Sequence, residues 1–166
     1  QEAEKNNFNY FLEVFNPQTK TGLNQSQLGE YVNDCILKTL AGQLKSERPL
    51  FLKIAYNGPK AMEELASYDP KNLIVGILGG GKGTTRYFFE LISKSCKYGA
   101  KVALFGRKIN LAEDQKLIVK TMRDVVNGMT SNEGVKFYHD QLKKKKSKQD
   151  RSLDKDLMIT EKVLKL

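Results

Sequence analysis

Apolar and polar residues follow two different patterns along this chain, one typical of strands and one typical of helices. Short, mostly apolar runs predict four strands, at 8–15, 49–56, 72–78 and 101–106. Between and after them, apolar residues recur three and four positions apart, which is helical spacing. This spacing predicts helices at 24–46, 60–68, 84–98, 111–128 and 131–145.

The order of these elements predicts an α/β fold. A strand followed by a helix, repeated four times with short connections, is typical of parallel βαβ units. The continuous apolar run 72–78 fits a strand that is buried on both faces of such a sheet. Two architectures hold these units, an open doubly wound sheet and a closed barrel. The number of strands does not distinguish these two architectures, so the distinction depends on the loops.

A glycine-rich loop, LGGGKG (78–83), follows the third predicted strand. Glycine there lets backbone N–H groups approach an anion closely. A P-loop is one interpretation, but Gly83 stands where that motif needs Ser or Thr. A dinucleotide fingerprint is another, but Thr84 replaces its third glycine. The alternative to any phosphate site is that tight turns require these glycines.

A second glycine loop, FGRKIN (105–110), follows the fourth predicted strand, one helix after the first loop. In (β/α)8 barrels, the loops after the last two strands commonly bring backbone N–H groups around one phosphate. The pair of loops therefore favours a barrel, and an arginine would add a charge-assisted hydrogen bond. The predicted phosphate-binding residues are Gly79, Gly80, Gly81, Gly106 and Arg107.

A lysine interrupts the second predicted strand, where Lys53 stands between Leu52 and Ile54. Burying an ammonium without a partner is costly, so such a lysine tends to lose its proton. The neutral amine is a nucleophile toward carbonyl carbon and can form a Schiff base. The alternative is a lysine whose stem packs in the strand while its amine reaches solvent.

Two further side chains are candidates for proton transfer. Glu13 holds a similar position in the first predicted strand, so pairing of parallel strands would place it at the depth of Lys53. It would serve as a general acid/base or as the counter-charge of Lys53. Tyr56, near the end of the second predicted strand, is either a third catalytic candidate or a packed aromatic residue.

These residues resemble a known family. FLKIAYNGPKAMEELASY, LGGGKGTTRYFFELI and VALFGRKI are similar to the C-terminal half of class I aldolases of the DhnA/archaeal fructose-bisphosphate aldolase type. Lys53 matches the Schiff-base lysine of strand 6 in that family, and Tyr56 and Gly58 match residues of the same motif. The matches in the two glycine loops are Gly79, Gly80, Lys82, Gly106 and Arg107.

The resemblance implies that residues 1–130 form strands 5–8 of a TIM (β/α)8 barrel with their helices, a half-barrel fragment. A C-terminal helix, a basic linker and a tail would follow over residues 131–166. Because the chain begins with Gln1 and is shorter than a barrel, we expect it to be part of a longer protein. We expect that full-length parent to be a homo-oligomer.

The implied activity is that of a metal-independent, cofactor-free lyase that forms a Schiff base with a phosphorylated ketose or related carbonyl compound. Phe15 and Asn16 stand where archaeal members have a proton-donating tyrosine, so we expect a substrate other than fructose 1,6-bisphosphate. One alternative is a phosphate-binding barrel without covalent chemistry, such as an isomerase or a synthase. The other is an inactive barrel that binds sugar phosphate.

Charge and composition limit the partners. The net charge is +9, and no run of about 18 uncharged apolar residues is present, so neither a membrane span nor a membrane partner is expected. The basic run KKKKSKQDR (143–151) has no aromatic residue on which bases could stack. A solvated linker is favoured over an electrostatic contact with nucleic acid or with an anionic membrane. A phosphorylated small molecule in the cytoplasm is the expected partner.

The cysteines and the histidine are given structural roles. Cys35 and Cys96 have no CxxC spacing, which predicts reduced packing residues in helices. His139, the single histidine, is expected to be an ordinary helix residue, and no metal site is predicted.

Overall fold

The computed structural model describes residues 2–165. Its strands are β1 (Leu12–Val14), β2 (Phe51–Ile54), β3 (Ile74–Leu78) and β4 (Val102–Leu104). Its helices are α1 (Glu2–Lys5), α2 (Gln25–Ala41), α3 (Pro59–Tyr68), α4 (Thr85–Lys97), α5 (Arg107–Asn110), α6 (Gln115–Val126), α7 (Ser131–Lys144) and α8 (Leu153–Asp156). Two 3-10 turns lie at Lys45–Glu47 and Lys162–Lys165.

The predicted strands and helices are all present, and capping side chains explain where two of the helices begin. The helix predicted at 111–128 begins at Gln115, because the Asp114 carboxylate accepts the N–H of Leu117. The N-cap of α7 is Thr130, directly before the predicted start of this helix at residue 131. Thr130 and Glu133 form a reciprocal capping box that fixes this start.

The four strands form one parallel sheet in the order β1-β2-β3-β4, so the predicted α/β class is confirmed. Glu13 pairs in register with Lys53, and Lys53 pairs with Gly76. On β3, Gly76 pairs in turn with Val102. Because paired residues of neighbouring strands share a face, these four residues cross one face of the sheet in a single row.

The chain divides into two compact units. Unit 1 runs to Leu78 and includes Tyr98–Leu104, and it contains the sheet with α2 and α3. One face of the sheet is apolar and buried, with Leu52, Ile54, Val75 and Ile77 at most 4% exposed. The face with Lys53 is less covered, since Phe11 and Ile74 are 48% and 41% exposed.

Unit 2 comprises Gly79–Lys97 and the chain from Phe105 onward, and it contains helices α4 to α8. Its core lies where α4, α6 and α7 pack together, around Phe88, Phe89, Ile118, Val135, Tyr138 and Leu142. Gly134 lets α7 approach α6 closely, because a Cβ on Gly134 would lie 2.9 Å from the Val125 side chain of α6. Among residues 2–165, no helix has the length and apolar character needed to cross a membrane.

Candidate functional site

The candidate nucleophile of unit 1 is paired with the candidate acid/base. Lys53 Nζ lies 2.8 Å from Glu13 Oε1, and the two side chains are 23% and 29% exposed. The prediction that both residues lie at the same depth of the sheet is confirmed by their register. On the other side of Lys53, its register partner Gly76 presents no side chain.

This environment differs from the one that the sequence predicts for Lys53. The apolar neighbours Leu52 and Ile54 point to the buried face, because side chains alternate along a strand. Lys53 points to the less covered face, where its ammonium has a carboxylate partner. Burial without a partner therefore does not occur; Glu13 supplies the counter-charge that was one of its two expected roles, and it is positioned to exchange a proton with the lysine amine.

Hydrogen bonds between two asparagine side chains connect the loops that follow β1 and β2. Asn16 Nδ2 donates to Asn57 Oδ1 at 2.8 Å, and Asn57 Nδ2 donates back to Asn16 Oδ1 at 2.9 Å. Tyr56, next to Asn57, is only 6% exposed. The sequence analysis missed this amide pair, although both asparagines follow paired strands at nearly equal distances from Glu13 and Lys53.

In unit 2, packing accounts for two glycines of the first loop. A Cβ on Gly79 would lie 1.9 Å from Cδ1 of Phe105, so the ring and the backbone approach each other closely. Gly83 has a φ of +50°, and a Cβ there would lie 2.6 Å from the Tyr87 ring. Gly80 also has a positive φ, of +60°. These positions need glycine whether or not an anion binds.

The predicted phosphate-binding residues nevertheless include groups that are open to a ligand. Gly80, Gly81, Gly106 and Arg107 are exposed, whereas Gly79 is buried. Within residues 2–165, the backbone N–H groups of 80–83 donate no hydrogen bond. Lys82, whose role the sequence left open, pairs with the Asp150 carboxylate. Its ammonium lowers the pKa of that carboxyl.

A buried polar cluster adjoins both glycine loops in unit 2, and the sequence analysis missed it. Asp156 Oδ1 accepts the N–H of Thr85 at 2.8 Å, and Asp156 Oδ2 lies 2.9 Å from His139 Nε2. Lys108 Nζ donates to the Thr85 hydroxyl at 3.2 Å. His139 lies within α7, as expected of a helix residue, and it is only 2% exposed.

Burial and charge shift the pKa values in this cluster. Burial lowers the pKa of Lys108, and the nearby Asp156 carboxylate opposes that effect. For Asp156, burial alone would raise the pKa, but hydrogen bonds from Thr85 and His139 and the charge of Lys108 outweigh it, so the pKa is lowered. Both groups are therefore coupled to the same hydroxyl-bearing residue, Thr85, and to each other.

The two cysteines and the basic run 143–151 are the remaining features that the sequence analysis singled out. Cys35 is exposed, so its assignment as a packing residue was wrong, since its position on α2 faces away from the core. Cys96 is partly buried, which raises the pKa of its thiol. In the basic run, Lys145 pairs with Asp114 at 2.6 Å. No group of three or more His, Cys, Asp or Glu side chains suited to a metal comes together within residues 2–165.

No protein-family model matches this chain, and no curated protein matches it.

Proposed function

We propose that the chain is part of a class I aldolase-like enzyme in which Lys53 forms a Schiff base with a phosphorylated ketose or a related carbonyl compound. The observation that supports this most is the Lys53–Glu13 pair at 2.8 Å on a partly open face of a parallel sheet. An amine and a carboxyl group at this distance can transfer a proton directly.

In this mechanism Glu13 accepts a proton from the Lys53 ammonium, and the neutral amine attacks the carbonyl carbon of the substrate. The carbinolamine then loses water, with its hydroxyl protonated by the Glu13 carboxyl group. The Glu13 carboxylate then takes the proton of the substrate's β-hydroxyl group, which becomes the carbonyl of the released fragment as the bond between the α and β carbons breaks. The iminium accepts the electron pair of that bond and becomes an enamine, which is protonated at carbon and hydrolysed to free the lysine. The absence of a side chain at Gly76, beside Lys53, is consistent with a substrate at that position.

The glycine loops of unit 2 form the proposed phosphate-binding site. Support comes from the N–H groups of 80–83, which donate no hydrogen bond within the described part of the chain, and from exposed Arg107. The packing of Gly79 against Phe105 supports a fixed loop rather than a contact of Gly79 itself with phosphate. We assign the contacts to Gly80, Gly81, Gly106 and Arg107.

We further propose that the sheet represents strands 5–8 of a TIM (β/α)8 barrel. The sequential order β1-β2-β3-β4 with only parallel pairs is the order such a barrel requires. The exposed Phe11 and Ile74 also fit a sheet face that the rest of a barrel would cover. Parallel sheets are normally covered on both faces.

Borohydride trapping tests the Schiff base. The protein is incubated with dihydroxyacetone phosphate, reduced with sodium borohydride, digested and analysed by peptide mass spectrometry. We expect a stable adduct on the peptide that contains Lys53. Lys53→Arg should abolish the adduct, because arginine keeps the charge opposite Glu13 but does not form the imine.

Lys60→Arg is the matched control. Lys60 Nζ also lies 2.8 Å from a carboxylate, that of Glu30, but its side chain is 76% exposed. This variant should form the adduct as the wild type does. Adducts spread evenly over exposed lysines, or their absence from Lys53, would contradict the proposal and leave a barrel without covalent chemistry.

A further inference from the structure

The buried polar cluster of unit 2 joins side chains from four segments of the chain. Its members are Thr85, Lys108, His139 and Asp156, each at most 4% exposed. Burying such groups is costly unless they satisfy one another, and a satisfied network fixes the segments that contribute to it. The Schiff-base mechanism uses none of these side chains, so the cluster needs an explanation of its own.

Asp156 fixes the start of α4. Its Oδ1 accepts the N–H of Thr85, the first residue of α4, which closely follows the first glycine loop. The first N–H groups of a helix have no acceptor within the helix, and a carboxylate there also interacts favourably with the helix dipole. On its other side, Asp156 is held by His139 Nε2 at 2.9 Å.

Neighbouring contacts hold the same segment in place. Thr84 donates its hydroxyl proton to the carbonyl of Met158 at 2.7 Å, so the backbone on both sides of the α4 start is fixed by residues 156–158. Lys82 pairs with Asp150, at the beginning of this C-terminal segment. The first glycine loop and the two residues that follow it are therefore attached to residues about 70 positions further along the chain by three separate contacts.

Lys108 attaches the second glycine loop to the same point. It follows Gly106 and Arg107 directly, and its ammonium donates to the Thr85 hydroxyl at 3.2 Å. Thr85 is thus held through its N–H by Asp156 and through its hydroxyl by Lys108. One residue links the two loops to which phosphate binding is assigned.

We propose that Asp156 and Lys108 are positioning residues, which hold the two glycine loops in one arrangement so that both donate N–H groups to the same phosphate. This inference rests on the proposed function for the identity of the anion. Without Asp156, the start of α4 loses an acceptor and the loops lose their fixed relation. Phosphate must then order them on binding, which costs affinity.

Isothermal titration calorimetry with inorganic phosphate, at constant ionic strength on the whole chain, tests the proposal. We expect Asp156→Ala to weaken binding about tenfold, which corresponds to about 1.4 kcal/mol. Asp156→Asn keeps an oxygen for the Thr85 N–H and should recover part of the loss. Asp154→Ala is the matched control, because Asp154 lies exposed on the same helix and should leave binding unchanged.

Trapping with unphosphorylated dihydroxyacetone separates positioning from the lysine chemistry. Asp156→Ala should form this adduct at Lys53 as the wild type does, since the substrate has no phosphate to place. Equal phosphate affinity in wild type and in folded Asp156→Ala would overturn the proposal. If circular dichroism shows Asp156→Ala unfolded, the same comparison is made with Asp156→Asn and Lys108→Gln.

Hydrogen exchange distinguishes failure of this proposal from failure of the proposed function. Without any ligand, Asp156→Ala should speed amide exchange at Thr85 and Phe88, after the first loop, and at Asn110 and Leu111, whose N–H groups donate to the carbonyls of Gly106 and Arg107. If the wild type binds no phosphate, the phosphate-site assignment fails, but faster exchange at both loops still supports the positioning role. Unchanged exchange at Asn110 and Leu111 would overturn that role, because the second loop would then be independent of Asp156.

Discussion

At the scale of single residues, Lys108 shows how burial disfavours the charged form of a side chain. Its side chain is 4% exposed, and burial lowers its pKa below the ordinary value of 10.5. The folded protein therefore binds this proton less strongly than the unfolded chain does. The contribution of Lys108 to stability is least favourable while both states are protonated, and it improves as pH rises from the folded pKa toward 10.5.

Lys108→Met should remove this dependence. We expect the unfolding free energy of the wild type to improve relative to Lys108→Met as pH rises from 7 toward 10.5, measured by urea denaturation. Lys116→Met is the control, since Lys116 is exposed on α6. A constant difference between wild type and Lys108→Met over this range would show that burial does not disfavour the ammonium at this position.

Contacts between single residues could be predicted from the sequence where the pairing of neighbouring strands determines them. Glu13 and Lys53 could be placed together because strands of a parallel sheet pair in order, and their register is as expected. Asp156 and His139 could not be assigned in the same way. Asp156 contacts His139 across 17 residues and Thr85 across 71 residues, and both contacts join different helices, which no local periodicity encodes.

At the scale of elements, hydrophobic periodicity predicts which segments are strands and helices, while side-chain hydrogen bonds determine where they end. The strand predicted at 8–15 pairs only over Leu12–Val14. Before it, the Tyr10 hydroxyl donates to the Glu47 carbonyl and the Tyr10 carbonyl accepts from Leu50 N–H, so this segment is held without forming a longer ladder. The short helix α5 was missed because four residues are too few to show a period.

Substitution can separate two reasons for glycine in the first glycine loop, which are tight packing at Gly79 and close approach to phosphate at Gly81. Gly79→Ala should destabilise the protein by about 1–3 kcal/mol, because the new Cβ would overlap the Phe105 ring. Gly81→Ala should change stability by less than about 0.5 kcal/mol, since no atom lies within 4 Å of its Cβ position. Thermal unfolding of both variants measures this difference.

Phosphate titration of the same two variants then reports on the ligand. If Gly81 is needed for close approach to phosphate, Gly81→Ala should bind phosphate more weakly while keeping wild-type stability. A Gly79→Ala variant as stable as the wild type would contradict the packing explanation. It would mean that Phe105 moves aside at little cost.

At the scale of the whole molecule, the charge is distributed unevenly. Unit 1 contains nine basic and nine acidic residues, so the formal net charge of +9 falls entirely in unit 2. Repulsion between like charges destabilises a compact state, and salt screens it over a Debye length of about 10 Å at 0.1 M and about 3 Å at 1 M. The two units should therefore respond differently to ionic strength.

We expect amide protection in α6 and α7 to increase as salt rises from 10 mM toward 1 M, while protection in α2 and α3 changes little. Hydrogen exchange followed by mass spectrometry measures both units in one sample, so unit 1 is the internal reference. Changing Lys143, Lys144, Lys146 and Lys148 to Gln removes four exposed positive charges and should flatten the response of unit 2. Lys145 is kept because it pairs with Asp114.

The control changes Lys5, Lys20, Lys45 and Lys71 to Gln, which removes four exposed positive charges from unit 1. The control lowers the charge of unit 1 by as much as the first variant lowers the charge of unit 2. A general effect of net charge would therefore alter both variants alike. Repulsion within unit 2 predicts that only the first variant loses its salt dependence. An equal increase of protection in both units of the wild type would attribute the salt effect to excluded-volume or surface-tension effects, which act on any folded surface.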